Sequence, residues 1–263
     1  MATTDEVLYS VAERVATITI NRPQRKNAVT EGVVAALGRF LDEAARDDQV
    51  GAVVLRGADG NFCAGADLGG GIIGDTAPSF LEMHTNRGGY ARLLQAMSAC
   101  PRPILAVVEG YCLAGGMGLL LASDLAVAAE DAKLGTPEIK RGLWPYMVTA
   151  LLIRHLGRKK ALELCMLGER ISGAEAARLG LVNAAVPADQ LEEKAGEMAV
   201  RLAAMSPAIM ALGKSSFYRI ADMATPDALA YLQSQLTINA QTEDMIEGIS
   251  AFFEKREPRW KGR

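Results

Sequence analysis

The chain has 263 residues, half of them hydrophobic and 22% charged, with a formal net charge of -3. That apolar content supports a sizeable core and excludes a largely disordered chain, and a near-balanced charge without a Lys/Arg cluster excludes a nucleic-acid surface. The opening stretch, Met1 to Glu6, has neither the basic start and apolar centre of a secretory signal nor the Arg-rich pattern of a transit peptide, so a cytoplasmic protein is expected.

Val7 to Ser10 and the alternating Val15 to Ile20 read as two strands of a hairpin, closed by a turn at Asn21-Arg22-Pro23-Gln24. Val33, Val34, Leu37, Leu41, Ala44 and Ala45 recur at helical spacing between Thr30 and Arg46, and Ala52 to Arg56 follows as a strand. The order then repeats. A glycine-rich loop from Gly57 to Gly74 leads to a helix over Ser79 to Ser98, a strand at Ile104 to Val108, a helix beginning near Gly115, and a strand at Leu125 to Ala129. Such alternation implies parallel strands joined by right-handed crossovers.

From Met147 onward strands nearly vanish. Ser172 to Glu175 reads as a capping box, Ser206-Pro207 and Thr225-Pro226 as capped helix starts, and only Leu181 to Val186 as extended. The C-terminal helices carry more Leu, Ile, Met and Phe than a short appendage buries alone, so they are expected to pack on the core or on another subunit.

Cys63, Cys100, Cys112 and Cys165 fit no metal-ligand spacing and read as buried reduced thiols. The two histidines, His84 and His155, offer neither a metal site nor a Ser-His-Asp triad. The apolar run after Gly110 lies between Glu109 and Asp124, short of the ~20 residues a membrane span needs, and reads as a buried helix.

Chemistry concentrates in two loops. Gly115-Gly116-Met117-Gly118 fits neither a dinucleotide fingerprint nor a P-loop. It does put glycines at a helix N-terminus, where unpaired N–H groups and the positive dipole face a ligand and no Cβ blocks its approach. The second loop, Asn61 to Leu68, follows a strand at the carboxyl edge, where open α/β sheets bind ligands. Each loop could donate one N–H to a single oxyanion; tight packing of two strand-helix units would use the same small residues.

The segments NRPQRKNAV (21 to 29), FCAGADL (62 to 68), GYCLAGGMG (110 to 118), LGTPEIKRGLWP (134 to 145), ISGAEAARLGLVN (171 to 183) and FFEKREPRWKG (252 to 262) occur in this order. Together they resemble the landmarks of the enoyl-CoA hydratase/isomerase (crotonase) superfamily. The resemblance implies an α/β, crotonase-like (ClpP/crotonase) spiral of ββα units. Residues 1–200 would form the core with the acyl-CoA site, and 201–263 a helical region packing on the core and on neighbouring subunits of a trimer or dimer of trimers.

The resemblance further implies that the backbone N–H groups of Ala66 and Gly115 hold a thioester oxygen. Hydratases of the family carry two glutamates; one corresponds to Glu138, and the other falls on Gly118, which has no side chain. A single base beside an oxyanion hole can carry a proton from C2 to C4 of an enoyl thioester. Double-bond isomerisation is therefore expected, with hydration as the alternative, and decarboxylation or non-catalytic acyl-CoA binding behind them. Dehalogenation finds no carboxylate in Leu143 to Met147. Coenzyme A, as part of the substrate, would be the only cofactor, held by Arg22, Arg25, Lys26, Ala64, Asp67 and Leu68, with Lys255 reaching a neighbouring subunit's nucleotide. Gly69-Gly70-Gly71 and Phe80 to Met97 would form a mobile wall for the acyl chain.

Overall fold

The structure, a computed structural model, describes residues 6–67 and 79–263. Leu68 and the Gly69-Gly70-Gly71 hinge expected from the sequence lie outside the described residues.

Strands β1 (Val7–Ala12) and β2 (Val15–Ile20) form the antiparallel hairpin, and β3 (Ala52–Gly57), β4 (Ile104–Val108), β6 (Leu125–Ala129) and β9 (Ala184–Val186) extend it with parallel pairings in the order β1-β2-β3-β4-β6-β9. A second sheet joins β5 (Tyr111–Leu113), β7 (Lys133–Gly135) and β8 (Arg170–Ser172). Its three-residue strands are too short to show an alternation, which is why the sequence reads β5 as part of the apolar run of a buried helix.

Every residue of β4 is buried, as are all but the first residue of β6, so both faces of the large sheet are covered. Helix α1 (Glu31–Arg46), with Thr30 as its N-cap, turns Val33, Leu37, Leu41 and Ala44 inward. Leu37 and Leu41 meet Ile18 and Leu55 of the sheet, together with Leu93 and Met97 of α2 (Phe80–Ala99) and Leu119 of α3 (Gly115–Ala122). Helix α6 (Leu191–Ala203) covers the other face with Leu191, Ala195, Ala199 and Ala203. The 200/201 boundary expected from the sequence thus falls inside a helix that belongs to the core.

Some caps match the sequence pattern and two depart from it. Ser79 and Glu82 close a complete capping box on α2, and Ser206 caps α7 (Pro207–Ile220). Ser172 accepts from the Glu175 N–H at the start of α5 (Gly173–Arg178), but the Glu175 side chain turns to Arg178 instead of back to the cap. Helix α8 (Thr225–Asn239) corrects the reading of Thr225 as a cap: the N-cap is Ala224, and Thr225 is already helical. Among the described residues no single helix is long and apolar enough to cross a membrane.

The helical tail is fastened by polar knots. Asp124 accepts from the Ile104 N–H (2.7 Å), the Lys214 ammonium of α7 (2.6 Å) and the Tyr218 hydroxyl (2.9 Å), while Lys214 also donates to the carbonyls of Met97 and Arg102. Buried Asp244, on α9 (Glu243–Glu254), accepts from Ser206 and from the N–H groups of Lys261 and Gly262, folding the last residues back onto α7. Removing one partner of a buried pair leaves the other charge uncompensated, at a cost of about 3–5 kcal/mol. Asp124→Ala is therefore expected to lower the urea unfolding free energy by about that amount. A loss below about 1 kcal/mol would mean that α7 docks through apolar contacts alone.

Candidate active site

The site is built where β3 and β4, neighbours in the sheet, release their chains at the carboxyl edge. The segment after β3 does not wander. Phe62, Cys63 and Leu113 donate to the carbonyls of Glu109, Tyr111 and Cys63, so residues 62 and 63 run as an extra strand along β5. On the other side Val29 pairs with Ala66: Val29 donates to Gly65, and Asp67 donates to Val29. In extended chain, alternate groups point oppositely. The Ala66 N–H therefore turns away from Val29, toward the start of α3, and no carbonyl among the described residues accepts from it.

The second loop arrives beside it. A Cβ placed on Gly115 would sit 3.8 Å from the Ala66 nitrogen, and one on Gly65 would sit 3.4 Å from the Gly115 nitrogen and 2.7 Å from the Ala114 Cβ. Gly65, at φ 100°, is thus required both by its backbone angle and by the approach of the loops. Ala114, the N-cap residue of α3, holds φ 52° and ψ -118°, a conformation that costs a residue with a Cβ on the order of 1–3 kcal/mol. The strain is held by the Ala114 N–H donating to Gly135 and by Met117 donating back to Ala114. The Gly115 N–H, the first of the helix, has no carbonyl partner among the described residues. Two unpaired donors thus stand side by side at the positive end of a helix, an arrangement suited to a developing oxyanion.

The other glycines of the loop serve packing. A Cβ on Gly116 would lie 2.3 Å from the Cys63 carbonyl oxygen, so this glycine makes room for the neighbouring loop, where the sequence suggested room for a ligand. A Cβ on Gly118 would lie 2.1 Å from the Tyr90 hydroxyl. Tyr90, on α2, donates that hydroxyl to the Gly115 carbonyl. Burial pushes its phenol well above the ordinary tyrosine range, and the nearby Glu138 charge acts in the same direction. Sequence reading missed Tyr90 because it sits in a helix that reads as core and acyl-chain wall; only the glycine at 118 hinted at an occupant.

Glu138 stands on a short 3-10 helix, Pro137–Arg141, ended by Gly142 in the left-handed region. Thr136 anchors that turn by donating to the Leu164 carbonyl of α4 (Tyr146–Leu167). A surface ion pair with Lys140 would be an ordinary role for such a glutamate, but Lys140 pairs with Glu169 at 2.7 Å. One carboxylate oxygen of Glu138, Oε2, is buried with no hydrogen-bond partner. Burial pushes its carboxyl above the ordinary glutamate range, while its own backbone N–H and the Arg141 charge pull the other way. A half-desolvated carboxylate whose charge reaches Tyr90, which in turn bonds Gly115, is a candidate general base.

The residues expected to hold coenzyme A divide. Arg22 is buried, donating to the Ala28 carbonyl and pairing with Asp67 (2.8 Å) and Glu6 (2.9 Å); this corrects its reading as a phosphate contact, since it ties the 21–29 turn to the 62–67 segment. Arg25 is exposed, and exposed Lys26 lies 4.3 Å over the Tyr111 ring. The Ala64 N–H donates to the Lys26 carbonyl. Lys255 ends α9, exposed and in the left-handed region, and no described contact joins it to the loops within one chain. All four cysteines are buried free thiols; burial pushes Cys63 up to about 12 and raises the others, so none is poised as a nucleophile.

A carboxyl whose folded pKa lies above its unfolded value favours the protonated form. Its contribution to stability is full at low pH and is lost as pH rises through the folded pKa, so charged Glu138 destabilises the fold at neutral pH. Glu138→Gln is expected to melt at a higher temperature than the parent at about pH 7, with the difference shrinking toward pH 4. A lower melting temperature at neutral pH would show that the carboxylate is a structural anchor.

Comparison with known proteins places this geometry. A family model described as enoyl-CoA hydratase/isomerase matches residues 10–263. The chain is 36% identical to the 2,3-dehydroadipyl-CoA hydratase of Escherichia coli (strain K12), across 98% of this chain and 99% of that one. The solved enoyl-CoA hydratase of Mycobacterium smegmatis matches with a TM-score of 0.91 at 36% identity, over 97% of this chain and 98% of that chain. That of Bacillus anthracis matches with 0.92 at 31%, over 98% and 100%. The architecture is the crotonase fold, and the chain belongs to the enoyl-CoA hydratase/isomerase family.

Proposed function

We propose that this chain processes an enoyl-CoA thioester, with the thioester oxygen held by the Ala66 and Gly115 N–H groups and Glu138 carrying the proton at C2. The observation that carries this reading is the buried, partnerless carboxylate oxygen of Glu138, whose charge reaches Tyr90, itself bonded to the Gly115 carbonyl beside the two unpaired backbone donors. No cofactor beyond the substrate's coenzyme A is needed. Arg25 and Lys26 are free to meet its phosphates, in the role the sequence also gave to the backbone at Ala64 to Leu68, with Lys255 contributed across a homo-oligomer. The exposed Phe217, Leu229, Leu236, Ile246, Phe252 and Phe253 of the C-terminal helices support such an assembly as a trimer or dimer of trimers.

Water addition to a 2-enoyl thioester leads, because the similar proteins carry hydratase in their names. In that reaction Glu138 accepts a proton from water as the water oxygen bonds to C3. The electron pair reaches the thioester oxygen as an enolate, and Glu138 then returns the proton to C2. The second reading, migration of a 3-enoyl double bond, is favoured by Gly118, which places no carboxylate at that position to activate water. There Glu138 takes the C2 proton, the two N–H groups hold the dienolate, and the proton returns at C4. Both reactions need the same two donors, each worth on the order of 3 kcal/mol of transition-state stabilisation.

The purified protein is expected to exchange an α-proton of a bound saturated acyl-CoA with D2O, and Glu138→Gln to abolish the exchange while leaving CoA-ester binding intact. Exchange that persists unchanged in the variant removes Glu138 from the mechanism. Turnover of 2-enoyl-CoA and 3-enoyl-CoA substrates, scored for water addition against double-bond migration, separates the two readings.

A further inference from the structure

Tyr90 is the polar group at this site that neither the oxyanion donors nor the proton carrier accounts for. Its hydroxyl donates to the Gly115 carbonyl, and a Cβ on Gly118 would stand 2.1 Å from its oxygen, 3.2 Å from Cζ and 3.5 Å from the Val148 Cγ2. No side chain fits on residue 118 while Tyr90 holds this place, and Tyr90 could not hold it beside a side chain. The two residues are one structural choice, made between α2 and α3. A carboxyl rooted at 118 would be a second acid–base group able to hold a water for attack. The phenol that takes its space is neutral, because burial and the Glu138 charge both oppose its ionisation.

We infer that the Tyr90–Gly118 pair limits water addition relative to α-proton exchange, whichever of the two reactions the chain catalyses: the ring and hydroxyl occupy the volume that a second water-activating carboxylate rooted at 118 would need, and leave no base at that position beside Glu138. The inference rests on the reading of Glu138 and the two N–H donors given above. Tyr90 acts here as a positioning residue, by what it excludes and by its bond to the Gly115 carbonyl, and not by taking a proton.

The discriminating quantity is the rate of water addition divided by the rate of α-proton exchange. Exchange uses the same base and the same oxyanion donors but no attacking water. Tyr90→Ala/Gly118→Glu is expected to raise this ratio on the order of tenfold over the parent, well within the contribution of a positioned base. Tyr90→Phe, which keeps the ring, is expected to leave the ratio within about twofold, and Gly118→Glu alone to lose exchange because the new side chain meets the phenol. A double variant that still exchanges α-protons but whose ratio is unchanged or lower overturns the inference. Should the double variant not fold, Tyr90→Ala/Gly118→Asp, which adds a shorter carboxylate in the vacated space, decides the matter: a higher ratio supports the inference and an unmoved one overturns it. Failure of the underlying reading is recognised separately, as absence of α-proton exchange in the parent protein.

Discussion

The pairing of the 62–67 segment with Val29 on one side and β5 on the other is the constraint from which the site follows. It turns a loop that leaves β3 into a short, fixed strand, and it decides which backbone groups are used up and which are left over. Gly65 and Asp67 are engaged by Val29; the Ala66 N–H between them is not. Because the same segment bonds to Leu113, the end of β5 delivers the first N–H of α3 to the same place. Asn27, fully buried, reinforces the arrangement: its amide donates to the carbonyls of Ala58 and Asn61, and its side-chain oxygen accepts from the Arg22 N–H. Two donors fixed before any ligand arrives need no reorganisation when charge develops on an oxygen between them.

The site is maintained against local preferences. Ala114 sits in a backbone conformation that suits glycine, and Glu138 keeps a buried oxygen without a partner. The cost is borne by a surrounding fold in which β4 and most of β6 are buried and the Asp124–Lys214 and Asp244 knots hold the C-terminal helices. Strained and desolvated groups persist only where neighbours over-determine them, and here those neighbours are the two sheets and α4.

What could be read from the sequence is what local chemistry encodes. The hairpin, the strands of the main sheet through β6, helices α1 and α2, the cap at Ser206 and the two glycine loops follow from periodicity and cap residues. The small sheet does not, since three-residue strands carry no period, and Thr225 was misread because a cap residue one position too late still looks like a cap. The meanings of Gly116 and Gly118 depend on Cys63 and Tyr90, residues brought close only by the fold. Arg22 shows the converse: a basic residue near a ligand loop resembles a phosphate contact until its burial and its acidic partners are seen.

The central claim is that Ala66 and Gly115 polarise a thioester carbonyl, and the vibrational spectrum of that carbonyl tests it most directly. Isotope-edited infrared or Raman difference spectra of a 13C=O-labelled, unreactive acyl-CoA analogue should show the carbonyl stretch moving to lower frequency on binding, as two fixed donors demand. A stretch at its frequency in water or higher, with the analogue demonstrably bound, would contradict the account.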